Sequence, residues 1–348
     1  MANKPLEKTN RELVLAGSKA RLGTLPIFFI LILFILLGSY LSLRLGAKNY
    51  SHEELLSILK NPFQTSSLQD IIIDLRLPRL VTAGLVGASL AVSGAVMQAI
   101  TRNSLADPSL LGIPAGAGLF LLLKMILLPD TSSLLSLLAC IIGAGLVAGL
   151  VILFGQAGGN KNPLRLILAG LMITALVQSL GQSLALVYQL SNHILGLQAG
   201  SLTTSNWQQL GWFSLPILFG LIFVQIFAHS LTILSLDKSL ATSLGQDTQR
   251  MTLVFLFIVV LLSASSVALV GSLSFVGLII PNLLLRFMQK DYRFLLPISG
   301  LAGASFLIWV DLLSRTLNPP YEIPLSSIIH LVGFPIFIWL IRTGGTND

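Results

Sequence analysis

The sequence predicts an all-α membrane protein with ten transmembrane helices and both termini in the cytoplasm. Three observations carry this: scarce charge, long apolar runs without Asp, Glu, Lys or Arg, and an uneven sorting of basic residues between loops. Of the 348 residues, 54% are hydrophobic and only 10% charged, whereas a soluble chain carries roughly 25% charged residues. That excludes an ordinary soluble enzyme. The net charge of +7 is dispersed along the chain and forms no basic patch, which argues against nucleic acid as a partner and for a membrane. The single cysteine, Cys140, lies in an apolar run. It reads as a small core residue and excludes both a disulfide framework and a cysteine metal cluster.

A bilayer core takes about 20 apolar residues per helix, because no water satisfies an open backbone there. The first apolar run, residues 25–43, follows a polar leader with Lys4, Lys8, Arg11, Lys19 and Arg21. Its 19 residues exceed a signal-peptide core, and Ser39, Tyr40 and Leu41 make a poor cleavage site. Further runs cover 80–101, 109–123 (continuing past Lys124 to 128) and 131–160. Residues 166–236 then hold 71 positions without a formal charge; Ser191, Asn192, His193 and the polar stretch 201–209 divide them into two spans with an uncharged loop between. The run 251–285 is ambiguous. Its 35 residues make one long helix or two short ones, loosened by Gly271 and Gly277 and interrupted by Pro281. Spans near 294–310 and 323–341 complete the set.

Basic residues decide between nine and ten crossings. With ten, 14 of the 21 Lys and Arg fall on cytoplasmic segments; with nine, only 11 do. The positive-inside rule therefore favours ten. The expected organisation is a cytoplasmic segment 1–24, a membrane domain 25–342 and a cytoplasmic tail 343–348, with no water-soluble domain.

Small residues at Gly84, Gly87, Ala91, Gly94 and Ala95, and at Gly112, Gly116 and Gly118, suit close helix packing and are silent on substrate. Asp311 and Arg315, four apart, can pair on one helix face; function and a helix-end structural pair are both open. His330 reads as a packing histidine or as a group facing a polar cavity. Between two spans, Leu236, Leu240 and Leu244 recur at steps of four, Asp237 or Ser239 can cap a short helix, and Gly245 can end it. A membrane-surface helix and a docking element fit that pattern equally. No Gly-Lys pair occurs, so the chain has no Walker A loop of its own, and no HExxH or Ser/His/Asp grouping is evident. An enzyme is not expected.

Three segments are recognisable together. They are Leu75-Arg-Leu-Pro-Arg-Leu80 with Gly87-Ala-Ser-Leu-Ala-Val-Ser-Gly-Ala-Val-Met-Gln98 and Arg102-Asn-Ser-Leu-Ala-Asp-Pro-Ser-Leu-Leu-Gly112; the loop 234–250; and Gly271-Ser-Leu-Ser-Phe-Val-Gly-Leu-Ile-Ile-Pro-Asn282 with Arg286, Asp311, Arg315, Pro324 and Gly333-Phe-Pro-Ile-Phe337. In this order, over roughly 50–342, the chain resembles the permeases of type II ABC importers for iron-siderophores, haem and cobalamin, the FecCD type. The resemblance implies ten helices per subunit in the bacterial plasma membrane, a permease dimer, two cytoplasmic ATPases and an extracytoplasmic binding protein or lipoprotein. It implies no cofactor on this chain, with ATP and Mg on the partner ATPase.

By the same resemblance, Asp237, Lys238, Ser239, Leu240, Ala241, Leu244, Gly245 and Gln246, within coupling helices at about 236–250, seat on the ATPase. Arg76, Arg79 and Arg315 look like outward arginines that receive acidic residues of the binding protein, with helix-end anchoring as the plainer reading of Arg76 and Arg79. Asn103, Leu105, Asn162 and Pro163 match positions near the cytoplasmic gate. Two departures stand out: Asn282 where the family commonly has His, and Ser326 and Ser327 where it commonly has Gly. They are compatible with one half of a heterodimer. The implied cargo is a ferric siderophore, hydroxamate-like foremost, with haem or cobalamin as the alternative within the family. An ion-coupled secondary transporter, which would place acidic residues near mid-membrane, and a scaffold without transport are the rivals outside it.

Overall fold

A computed structural model of the chain describes residues 23–46, 49–54, 70–129, 131–156 and 163–344, and every regular element among them is helical. Residues 1–22 of the expected leader, the turn holding Asn162, and the tail beyond Gly344 lie outside the described residues.

The order is α1 (Thr24–Arg44), a π-helical turn Ile71–Arg76 continuing into α2 (Leu77–Thr101), a 3-10 turn Pro108–Leu111, α3 (Ile113–Leu127), α4 (Ser133–Gln156) and α5 (Pro163–Val187). Then come α6 (Ser191–Ala199), α7 (Trp207–Ile226), α8 (Ala228–Leu234), α9 (Lys238–Ser243), α10 (Thr248–Val270), α11 (Val276–Leu284), α12 (Tyr292–Thr316) and α13 (Leu325–Gly344). Seven of the described helices have 20 or more residues and enough apolar character to cross a bilayer. α3 is shorter, with 15 residues, and the apolar stretch of α13 covers Leu325–Leu340. The chain is a polytopic helical membrane protein.

The ambiguous run 251–285 is divided. Gly271, at φ +88°, ends α10, and α11 resumes at Val276. With nine residues, α11 rises only about 14 Å, less than half the roughly 30 Å hydrocarbon core. It is a half-helix reached through the extended stretch Gly271–Phe275. Two other boundaries move. α2 and its π turn form one 31-residue helix from Ile71, so Arg76 and Arg79 lie inside the helix and not ahead of it. The stretch around Ser191–His193, read as a loop, contains α6.

Glycine sets how closely the central helices approach. A methyl on Gly87 would stand 2.2 Å from the Gly303 carbonyl oxygen of α12, and one on Gly94 2.0 Å from the Gly277 carbonyl of α11. A methyl on Gly116 of α3 would stand 2.4 Å from the Gly143 carbonyl of α4. Such contacts place backbone on backbone, the closest packing a membrane interface allows. Gly118 has nothing within 4 Å and does not share this role. Between α2 and α10 the contact is polar: Ser266 donates to Ser89 at 3.0 Å and Ser263 to Ser93 at 3.4 Å, all four buried. Cys140 is fully buried in the same core. Outward leucines and phenylalanines, such as Leu25, Phe29 and Leu33 of α1 at 61–68% exposure, suit contact with lipid.

Candidate functional site

The bundle has two chemically distinct ends and a polar recess between them. At the first end, α2 and α12 bring together residues 232 positions apart. Arg79 Nε donates to Asp311 Oδ1 at 2.8 Å, while Arg79 Nη1 and Nη2 donate to Glu322 Oε1 and Oε2 at 2.7 and 2.9 Å. Arg315 Nη2 reaches Asp311 Oδ2 at 3.1 Å as an ion pair and donates to Ser42 Oγ of α1 at 2.6 Å. Arg76 donates to the Leu43 carbonyl and lies 4.6 Å from the centre of the Tyr50 ring. All three arginines are 8% exposed, and Asp311 is fully buried.

The three residues expected as docking forks are thus gathered at one end, but each points into the protein. Their forks are engaged by carboxylates, carbonyls and a ring of the same chain. The pairing of Asp311 with Arg315 is present, and it extends to Arg79. Glu322, with a side chain 35% exposed, is the member the sequence reading missed. It lies outside any helix, and no spacing rule connects it with Arg79. An ion pair of this kind is stable only because every charge in it has a partner. Asp311, clamped between two guanidiniums, does not resemble the available carboxylate of an ion carrier.

At the opposite end, α2 stops at Arg102, in the left-handed region at φ 52°. Arg102 Nε donates to the Leu234 carbonyl at 3.2 Å and also to that of Leu236. Asn103 Oδ1 accepts from the Leu105 amide at 2.9 Å, closing a tight turn, and Leu105 is 46% exposed. Asn282 Nδ2 donates to the Ser104 carbonyl at 2.6 Å and to Leu278 of its own helix at 2.8 Å. The Asn282 amide therefore bolts α11 to the turn 102–105. A cavity of about 610 Å³, lined among others by Met97, Asn103, Leu110, Leu166 and Leu256, separates that turn from α5. Pro163 opens α5; Asn162, its expected neighbour at the gate, is outside the described residues.

The segment 236–250 forms one short helix, α9, and then the start of α10. Asp237 occupies the N-cap position without a side-chain bond, and Lys238 opens the helix. Ala241 is fully buried. Gly245 turns the chain at φ +80°, and Asp247, not Ser239, accepts amide bonds, from Gln249 and Arg250 at the start of α10. Gln246 Nε2 donates to the Ser230 carbonyl at 2.9 Å, seating the segment on α8. Leu236, Leu240 and Leu244 are 42%, 53% and 62% exposed. Three unpartnered leucines beside polar Ser239, Ser243 and Gln246 make a small apolar ridge at this end.

Between the ends, α3, α5, α6, α13 and the stretch before α11 enclose a recess of about 320 Å³. Its lining includes Gln178, Gln182, Gln198, Ser274, Ser326 and His330. His330 stands edge-on to Phe275 at 5.2 Å between centroids, so both sequence readings of this histidine hold at once: it packs and it faces a polar cavity. Among the described residues no group of His, Cys, Asp and Glu could hold a metal.

The model of the FecCD transport family matches residues 31–343. The chain is 35% identical over 307 residues to the iron(3+)-hydroxamate import system permease FhuB of Bacillus subtilis (strain 168), covering 88% of this chain and 80% of that one. It is 34% identical over 315 residues to the ferric enterobactin transport system permease FepD of Escherichia coli (strain K12), covering 90% and 93%. Among solved structures, a metal-chelate type ABC transporter in an inward-facing conformation superposes with a TM-score of 0.77 at 31% identity, over 92% of this chain and 99% of that one.

Proposed function

Because the chain belongs to the FecCD transport family, we propose that it is a permease subunit of an ATP-driven importer carrying a ferric siderophore, foremost a ferric hydroxamate, across the bacterial plasma membrane. Two such subunits, as a heterodimer of diverged permeases, enclose the pathway. The Asn282 end faces the cytoplasm, where the basic loops place it. The helices cross ten times, with the half-helix α11 and the stretch before it making one passage, and both termini lie inside. An extracytoplasmic binding protein delivers cargo to the Arg79 end. There Arg76, Arg79 and Arg315 hold α1, α2 and α12 in register, and a docking carboxylate competes with Glu322 for the Arg79 fork.

The observation that carries the reading is the exposed ridge of Leu236, Leu240 and Leu244 at the end opposite the arginines. A cytoplasmic ATPase seats on it, with Asp237, Lys238, Ser239 and Gln246 around it and Gly245 as the turn. This chain then performs no chemistry and holds no cofactor; ATP and magnesium belong to the ATPase. Nucleotide shifts the permease only through its different affinity for two conformations. That shift travels from the ridge through Arg102 to the turn of Asn103 and Leu105, which with Asn162 and Pro163 forms the gate.

The test is reconstitution with the partner permease, ATPase and binding protein in liposomes. ATP-dependent uptake of ferrichrome is expected. L240E/L244E abolishes ATPase co-purification and uptake while the partner permease still co-purifies. An ATPase that remains bound to that variant sinks the docking assignment, and uptake that persists without any ATPase sinks the importer reading.

A further inference from the structure

We infer that the recess lined by Gln178, Gln182, Gln198, Ser274, Ser326 and His330 is a cargo-contacting wall built for a chelate without net charge, and that it discriminates against anionic chelates. The inference rests on the import reading above and narrows its substrate. Gln178 and Gln182 stand one turn apart on α5, as do Ser326 and His330 on α13, so two helices present paired polar groups to one space. Gln178, Gln182, Gln198 and His330 are exposed in the described chain. Among the described residues none of the six side chains makes a hydrogen bond. Amides facing hydrocarbon carry a desolvation penalty with nothing to offset it. They are tolerable where water or a polar cargo occupies the space.

The chemistry of the lining selects the cargo. Carboxamides and hydroxyls both donate and accept, which suits carbonyl and amide oxygens around a metal centre. The lining includes no Asp, Glu, Lys or Arg, so an anionic chelate entering this space would lose its hydration without gaining a counter-charge. The recess, about 320 Å³, is at the small end of ligand sites and serves as one wall, completed by the second subunit. Relatives of nearly equal identity are named for a hydroxamate and for enterobactin, so overall similarity does not choose between charge classes. The wall does.

A direct contact readout avoids the selectivity of the binding protein. The native thiol Cys140 is fully buried, so Gln182→Cys supplies a reporter with little background. In the purified permease–ATPase complex, a water-soluble charged maleimide is expected to label this cysteine. Neutral ferrichrome should slow labelling about tenfold, while trianionic ferric enterobactin at the same concentration changes it less than about twofold. Adding Gln178→Leu, close in shape and suited to a membrane helix, should cut the ferrichrome protection about tenfold, the size of one lost polar contact. Absence of labelling, equal protection by both chelates, or protection indifferent to Gln178→Leu each overturns the inference. Ferrichrome protection without ATP-driven uptake would sink the import reading and leave the wall standing. Uptake of ferrichrome without protection would do the reverse.

Discussion

Arg79 and Asp311 meet at 2.7–2.8 Å although 232 residues separate them, and the Asp311 side chain is only 1% exposed. The pair joins α2 to α12 where Gly87 and Gly303 already press backbone on backbone. Its value lies less in attraction than in what removal would leave behind. D311A takes the carboxylate from buried Arg315 and one of two carboxylates from Arg79, a loss of about 3–5 kcal/mol for a broken buried pair. Glu322 is partly solvated, so E322A removes a weaker partner, about 1 kcal/mol. Thermal unfolding in detergent should therefore rank D311A well below E322A. Equal midpoints would show that the network does not hold the helices together.

This same network explains what the sequence concealed. Long apolar runs disclosed most of the helices, because hydrocarbon leaves the backbone no alternative to a helix. The runs were cut short wherever a charge appeared, and at Arg76, Arg79, Asp311 and Arg315 that rule fails: mutual pairing lets the helix continue through them. Glu322 was illegible for a related reason, since only the tertiary fold carries it to Arg79. The half-helix α11 was half legible, its break signalled by Gly271 and its shortness by nothing local. At the other end, the leucine periodicity of 236–244 was readable, but whether those leucines faced lipid or solvent was not. The amides of the recess were not legible, because glutamines scattered over α5 and α6 share one space with Ser326 and His330 only once α13 is folded across from them.

Arg102 connects the turn of Asn103 and Leu105, proposed as part of the gate, to the segment proposed to seat the ATPase. Its bonds to the carbonyls of Leu234 and Leu236 are charge-assisted, together worth about 1.5–3 kcal/mol. R102A should lower ATP-driven uptake at least about tenfold, by the same energy, while ATPase co-purification is unchanged. R102K keeps the charge but loses the planar fork and should fall between. Measuring uptake beside ATP hydrolysis separates coupling from assembly. A parallel fall in both would assign Arg102 to assembly.

Glycine contacts make a sharper stability test than composition would suggest. Gly94 approaches the Gly277 backbone so closely that a methyl finds no side chain to push aside. G94A must separate α2 from α11, and overpacking of this kind costs about 1–3 kcal/mol. Gly149 of α4 has nothing within 4 Å, so G149A should be neutral or stabilising by up to about 1 kcal/mol through helix propensity. Detergent melting curves of the two variants should move in opposite directions or differ by several degrees. Equal effects would remove the argument for a glycine-set crossing at α11.

Asp107 gives the protein a pH dependence opposite in sign to most acidic groups. It lies buried in the turn between α2 and α3, where Oδ1 accepts from the Ser109 amide at 2.9 Å. Burial pushes its carboxyl above the ordinary range, and the bonds from Ser109 only partly counter this. A carboxyl raised on folding contributes stability in full below its unfolded pKa, and that contribution is lost as pH rises through the folded value. Asp291 runs the other way: hydrogen bonds from Arg293 hold its carboxyl below the usual value, so its contribution is present above the ordinary pKa and lost on acidification. The two can cancel in a wild-type profile, so the difference between wild type and D107N is the useful quantity. The amide keeps the oxygen that accepts from Ser109 and has no charge to bury. The melting midpoint of D107N should therefore gain on wild type as pH rises above the ordinary carboxylate pKa of about 4. An offset that stays constant as pH rises would mean that Asp107 is ionised at no cost, and that the turn between α2 and α3 is wetter than its burial implies.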